Sequence, residues 1–408
     1  MTVFITLKKI GEMYMLLSLA LLFLSGMVLG KIFETLRLPK LLGMLTTGIL
    51  LGPYVLNLLD PTILNISTEL RQIALVIILT RAGLNLDIKD LKKVGRPAIL
   101  MCFVPACFEI IGMLILAPML LGITILDAAI MGTVIAAVSP AVIVPKMLKL
   151  MENEYGTSKS IPQMIMAGAS VDDVFVIVLF TAFTGLAQGG AITAAHFLTI
   201  PTSIILGLLG GVVTGLFLSL LFSKFHIRDT GKVITILSIS FLLITLEHMM
   251  TGTIGFSGLL AVMALGATLH QKNYETSQRL SNKFSKLWVG AEVLLFVLVG
   301  SIVNISYALN AGILSILLIF GVLLFRMIGV FVCLINTKLN KKERVFTAIA
   351  YMPKATVQAA IGGLPLAMNL PCGNIVLTVA VLSIMITAPL GAILIDTTYK
   401  KFLSKDVN

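Results

Sequence analysis

The sequence predicts an all-α polytopic membrane protein of thirteen transmembrane helices, built as two inverted six-helix repeats with two crossed discontinuous helices. Three observations predict it. The 408 residues are 58% hydrophobic and 12% charged, with a mean hydropathy of +1.05, where soluble domains carry about 25% charged residues. Apolar runs of roughly the 20 residues needed to cross a bilayer recur along the whole chain and leave no room for a large soluble domain. Prolines interrupt two of these runs at corresponding places, and two adjacent aspartates sit on the run that follows the first.

In chain order the predicted spans are 12–32, 39–58, 69–86, 96–119, 124–149, 161–187, 199–223, 232–249, 255–270, 287–305, 310–336, 344–366 and 374–398. The first is read as a helix and not a signal peptide. Lys8 and Lys9 precede it, but the run from Met13 to Gly30 is long for a signal and no small-x-small cleavage site follows. Basic residues test the count. Of the 30 Lys and Arg, 24 fall in the loops after odd-numbered spans and in the tail, while Lys8, Lys9 and Arg71 alone fall on the other side. That alternation predicts an external N-terminus and a cytoplasmic C-terminus. The net charge of +11 is spread in these clusters without a basic stripe or interleaved aromatics, so no nucleic-acid partner is implied. Cys102, Cys107, Cys333 and Cys372 have no ligand spacing and read as reduced packing residues.

The fifth span contains Ala137-Val-Ser-Pro-Ala-Val-Ile-Val-Pro145, and the twelfth Tyr351-Met-Pro-Lys-Ala-Thr-Val-Gln-Ala-Ala-Ile-Gly-Gly363. Proline removes a backbone donor and disfavours α geometry at the residue before it, so both read as broken helices. They lie seven spans apart, an odd number, so the two copies run through the membrane in opposite senses. Pro140 and Pro353 are 213 residues apart, and Glu109 and Arg326, each alone in an apolar span, are 217 apart. Spans 1–6 then recur, inverted, as spans 8–13, with span seven as connector. Such repeats with two discontinuous helices mark secondary transporters.

Asp172 and Asp173 lie in the sixth span. A carboxylate near the bilayer centre costs several kcal/mol, about 2.5–3.5 on insertion scales, so the pair reads as a cation or proton site facing water. Neighbours on a helix point about 100° apart, so one aspartate faces the cavity and the other turns to a basic or polar partner; periodicity does not decide which. A small hard cation also needs other oxygens, for which Ser139, Thr356 and carbonyls freed at the breaks are candidates. Lys354 is expected to neutralise carbonyl ends at the second break, and Glu109 and Arg326 to form a salt bridge that offsets the cost of burying each. Arginine keeps its proton, so proton release falls to the aspartates. Weaker signals are Glu292 (a cavity or subunit contact), Glu247 with His248 (a solvated rim), Arg81 and Asp87 at a helix end, and His196, His226 and His270 at loop edges.

Four segments, Thr80-Arg-Ala-Gly-Leu84, Ala137–Pro145, Asp172-Asp173 and Pro353–Gly362, with a looser match at Ile49–Pro53, resemble the cation/proton antiporter superfamily, most closely its NHA-type sodium/proton exchangers. The resemblance implies an NhaA-like antiporter fold and a homodimer with membrane lipids at its interface. It divides the chain into dimer-domain helices (12–95 and 231–308), a linker helix (191–230) and a mobile core (96–190 and 309–408) that carries the ion in an elevator movement. It makes Asp173 the monovalent-cation ligand and Asp172 its neighbour. Arg326 stands where charge-moving relatives carry lysine, which implies electroneutral exchange of one sodium for one proton. The implied function is Na+ or Li+ exchange for H+ at the plasma membrane, in the service of pH homeostasis, with no enzyme activity and no cofactor beyond the transported ions. Competing readings are K+/H+ exchange at the same site and an organic-anion symporter of similar architecture. A midplane aspartate pair disfavours the latter.

Overall fold

In a computed structural model the described residues are 15–86, 95–188, 194–250 and 255–405. Asp87 and the basic residues Lys8, Lys9, Lys89, Lys92 and Lys93 lie outside them. Apart from one isolated antiparallel bridge, Tyr155 to Lys405, the regular elements described are helices. They are α1 (Met15–Thr35), α2 (Lys40–Leu51), α3 (Ser67–Leu84), α4 (Val104–Leu121), α5 (Ile125–Ala136), α6 (Pro140–Glu152), α7 (Ile161–Gln188), α8 (Ala194–Lys224), α9 (Asp229–Met250), α10 (Gly258–Lys272), α11 (Tyr274–Ser301), α12 (Ile305–Cys333), α13 (Lys341–Ala350), α14 (Thr356–Ile361), α15 (Leu364–Ala367) and α16 (Gly373–Phe402). Single turns at Pro61–Asn65 and Arg96–Met101 precede α3 and α4. Among the described residues, nine spans are at least 18 residues long and apolar enough to cross a membrane by length and composition.

Proline accounts for most departures from the predicted spans. Helix α2 stops at Leu51, short of the expected 58, because Gly52 precedes Pro53 and is extended (ψ 170°). The span expected as continuous over 96–119 is interrupted at Cys102 and Phe103. Pro105 has no N–H for the carbonyl of Met101, and the Tyr351 hydroxyl donates to that carbonyl instead, at 3.3 Å. The two expected breaks are present: α5 ends at Ala136 and α6 starts at Pro140, while α13 ends at Ala350 and α14 starts at Thr356. Helix α11 begins thirteen residues before the span expected from 287, because a hydropathy count finds only the apolar part of a helix that continues into a polar segment. In that segment Arg279 pairs with Asp229 at 3.1 Å.

Two compact units emerge. One comprises residues 1–71, 91–176 and 292–408; the other comprises 72–90 and 177–291. In the first, α4 packs along α12 and α5. A core of Met101, Val138, Ile143, Ile165, Ala169, Val330, Phe346 and Tyr351 fills the space between the two breaks and the start of α7. In the second, α8 packs on α10 through small residues: a Cβ at Gly211 would sit 2.3 Å from the Ala261 carbonyl oxygen. His270, expected at a loop edge, is buried there, with Nδ1 2.7 Å from the Leu84 carbonyl oxygen.

Candidate functional site

At the first break the chain is extended from Ala137 to Ser139. Pro140 cannot donate to the carbonyl of Ala136, four residues back, so that carbonyl needs another donor. Arg326 Nη1 supplies it. Two neighbouring carbonyls, those of Ile135 and Ala137, accept from the Gln358 amide at 3.1 and 2.8 Å. The Val138 N–H donates to Asp172 Oδ2 at 2.9 Å. The breaks also meet directly: Ser139 N–H donates to the Pro353 carbonyl at 2.8 Å, and the Ser139 and Thr356 hydroxyl oxygens are 3.5 Å apart.

Arg326 is the hub. It is 1% exposed and lies over the Tyr351 ring, 5.3 Å from the centroid. Its Nε donates to the Tyr351 carbonyl at 2.8 Å, Nη1 to Glu109 Oε2 at 2.8 Å and Nη2 to Asp172 Oδ2 at 2.8 Å. One guanidinium therefore holds carbonyls from both breaks and carboxylates from α4 and α7, which suits its planar fork of donors. Glu109 and Arg326 are ion-paired, as their isolation in the sequence predicts. Lys354 differs from expectation. It is fully buried, and its Nζ reaches Glu109 Oε2 at 2.6 Å where the sequence suggested carbonyl ends of its own break. Arg326 Nε already serves the Tyr351 carbonyl at that break, and a buried ammonium needs a countercharge.

Glu109, Asp172, Arg326 and Lys354 form a buried network of two acids and two bases. Asp173 stands outside it. It is half-buried, and its Oδ1 has no hydrogen-bond partner among the described residues; the same holds for Asp172 Oδ1, Glu109 Oε1 and Gln358 Oε1. The 100° step along α7 thus gives the adjacent carboxylates different surroundings, with Asp172 tied to Arg326 and Asp173 not.

Three residues of this assembly escaped the sequence reading. Tyr351 joins three elements: its hydroxyl serves Met101, its carbonyl serves Arg326, and its ring end fits against Gly168, where a Cβ would lie 2.0 Å from the hydroxyl oxygen. Gln358 was within the quoted motif as a lone amide in an apolar run. Arg71, counted as an outer loop residue, is buried at 2% exposure and lies against Gly363, where a Cβ would come within 2.2 Å of Nη1. Further out, Glu292 is buried and paired with Lys40 at 2.6 Å. Glu247 is half-buried and accepts from the Gly258 N–H at 3.1 Å, so it caps α10 and is not the solvated rim expected. The side chains of His196 and His248 lie outside the described residues.

A family model described as sodium/hydrogen exchanger, transmembrane, matches residues 17–401. The chain belongs to the sodium/hydrogen exchanger family. Sodium/hydrogen exchanger 9B2 of Mus musculus is 32% identical over 410 residues, spanning 96% of this chain and 74% of its own. The 9B2 protein of Xenopus tropicalis is 34% identical over 408 residues (95% and 74%), and sodium/hydrogen exchanger 9B1 of Homo sapiens 32% over 418 (96% and 78%). The solved structure of the sodium proton antiporter MjNhaP1 from Methanocaldococcus jannaschii at pH 8 superposes with a TM-score of 0.80 at 21% identity, covering 97% of this chain and 99% of that one. This exchanger-family chain is a multi-pass membrane protein with the fold of MjNhaP1.

Proposed function

We propose that this chain is a secondary active antiporter that exchanges Na+ or Li+ for H+, with Asp173 as the carboxylate the two ions share. One observation carries the reading. Beside a buried set where Glu109 and Asp172 are matched by Arg326 and Lys354, the half-buried Asp173 carboxylate has no basic partner among the described residues. An isolated carboxylate there is strongly disfavoured unless a proton or cation joins it. Occupancy by one excludes the other, which is the coupling an exchanger needs. Ser139 and Thr356 supply neutral oxygens where the breaks meet.

The same charge balance supports electroneutral exchange. The four-group network sums to zero, and Asp173 returns to zero with either one Na+ or one H+, so the loaded site carries the same charge in both directions. The relatives are named for sodium and hydrogen, and nothing in the site favours potassium. An inverted repeat over thirteen spans is supported by two contacts of equal sequence separation, Glu109 with Arg326 and Ser139 with Thr356, both 217 residues apart. Positions related by a two-fold axis meet their own counterparts where the axis passes. The membership supports an elevator movement of core helices (96–190 and 309–408) against a dimer domain (12–95 and 231–308), with 191–230 as linker and lipids at the homodimer contact. The membership supports a place at the plasma membrane, and the basic loops support a cytoplasmic C-terminus.

Proton flux in proteoliposomes on addition of Na+, Li+ or K+ tests the reading. Na+ and Li+ are expected to drive proton movement, Asp173→Asn to abolish it in a folded protein, and an imposed membrane potential to leave the rate unchanged. Flux retained by Asp173→Asn would move the site elsewhere, and a clear voltage effect would end the one-for-one stoichiometry.

A further inference from the structure

Gln358 has a geometry that neither clamping nor packing uses up. It is fully buried on α14, two residues past Thr356. Its amide nitrogen donates both hydrogens, to Ile135 and Ala137. That pair fixes the orientation of the amide, because the flipped rotamer would set the side-chain oxygen against two carbonyl oxygens. Oε1 therefore points away from those two carbonyls, and it is buried without a partner among the described residues. A buried amide oxygen left unpaired is costly, and the two hydrogen bonds made by the nitrogen do not relieve it. The nitrogen alone does not explain the residue. The carbonyls it holds flank the Ala136 carbonyl bound by Arg326 and adjoin the Val138 N–H bound by Asp172, so the amide lies beside the groups that hold Asp172, the neighbour of Asp173 on α7.

We propose that Gln358 Oε1 is a neutral oxygen ligand of the transported monovalent cation, bound directly or through one water the ion retains, and that it contributes to the choice among Li+, Na+ and K+. This deepens the exchange reading and rests on it. The amide nitrogen fixes the carbonyl ends of the first break, and through that grip the oxygen is held in place when the site is empty. A pre-positioned neutral oxygen adds field strength without adding a charge, so it tunes selectivity and leaves the charge balance of the network intact. Ions of different radius meet a fixed oxygen at different cost, so removing it changes their relative affinities, whereas loosening a clamp weakens all of them alike.

The test is the ratio of apparent KM for Na+ and Li+, measured by dye dequenching in proteoliposomes at one pH for wild type, Gln358→Met and Gln358→Asn. Methionine keeps the volume and loses donors and acceptor; asparagine withdraws the amide by about 1.5 Å, one carbon–carbon bond. The apparent KM for Na+ is expected to rise about tenfold in Gln358→Met. The Na+/Li+ ratio should shift about threefold or more in both variants. If one variant fails to accumulate, the other reads the same ratio. Cation-induced thermal stabilisation of purified protein, with choline as control, reads it without transport. A ratio unchanged in a folded variant, with only the maximal rate or melting temperature lowered, makes Gln358 a structural clamp and overturns the inference. Absence of cation-driven flux in wild type would instead remove the exchange reading itself.

Discussion

Lys354 and Glu109 allow a sharp test of the buried network. Among the described residues Lys354 Nζ pairs with one carboxylate, Glu109 Oε2 at 2.6 Å, and both side chains are almost wholly buried. Glu109→Leu therefore leaves an ammonium with no countercharge, while Arg326 keeps Asp172 at 2.8 Å. Breaking one side of a buried pair costs about 3–5 kcal/mol, whereas replacing both sides with apolar groups is often neutral. The expected order of melting temperature in detergent is wild type, then Glu109→Leu with Lys354→Met, then Glu109→Leu alone. The double variant should recover about 2 kcal/mol or more of the single loss. Fluorescence-monitored unfolding of the four proteins of the cycle measures this. Losses that add to within about 0.5 kcal/mol would mean that the two residues do not depend on each other, and the charge-balance argument for Asp173 would fall with them.

Three further outcomes follow from the site. If one carboxylate is shared by Na+ and H+, the apparent KM for Na+ rises about tenfold for each pH unit below the titration of that carboxyl. A plot of log KM against pH should then have slope −1, and a slope of −2 would bring Asp172 into the exchange. Tyr351→Phe removes the donor to the Met101 carbonyl and should cost about 1 kcal/mol of stability with exchange retained; loss of exchange in a stable protein would give the hydroxyl a role in transport. Gly363→Leu should destabilise by about 1–3 kcal/mol or more because its side chain meets the Arg71 guanidinium, and Arg71→Ala should restore part of that loss; no restoration would place the strain elsewhere.

The backbone breaks were legible because proline has a fixed chemical consequence: Pro140 and Pro353 announce where α geometry stops. The Glu109–Arg326 pair was legible by elimination, since each was a lone charge in an apolar run and needed the other. Lys354 was legible as a buried charge but not as to its partner, because the choice between carbonyls and Glu109 depends on Arg326 already holding the Tyr351 carbonyl. Pro105 breaks the fourth span by the same rule as Pro140, yet the apolar run continues across it, so hydropathy reads the span as continuous. Tyr351, Gln358 and Arg71 gave weak signals. Their roles arise from carbonyls and glycines distant in sequence, and residue type alone does not reveal which carbonyl lacks a donor.

The Tyr351 hydroxyl seals the gap that Pro105 leaves, and the same residue's carbonyl grips Arg326. Tyr351 thereby ties the Arg96–Met101 turn to Arg326, whose guanidinium holds Glu109, Asp172 and the first break. On the proposed exchange mechanism, this block is expected to move as one unit. Spectroscopic rulers placed within it should read constant lengths while the journey proceeds around them.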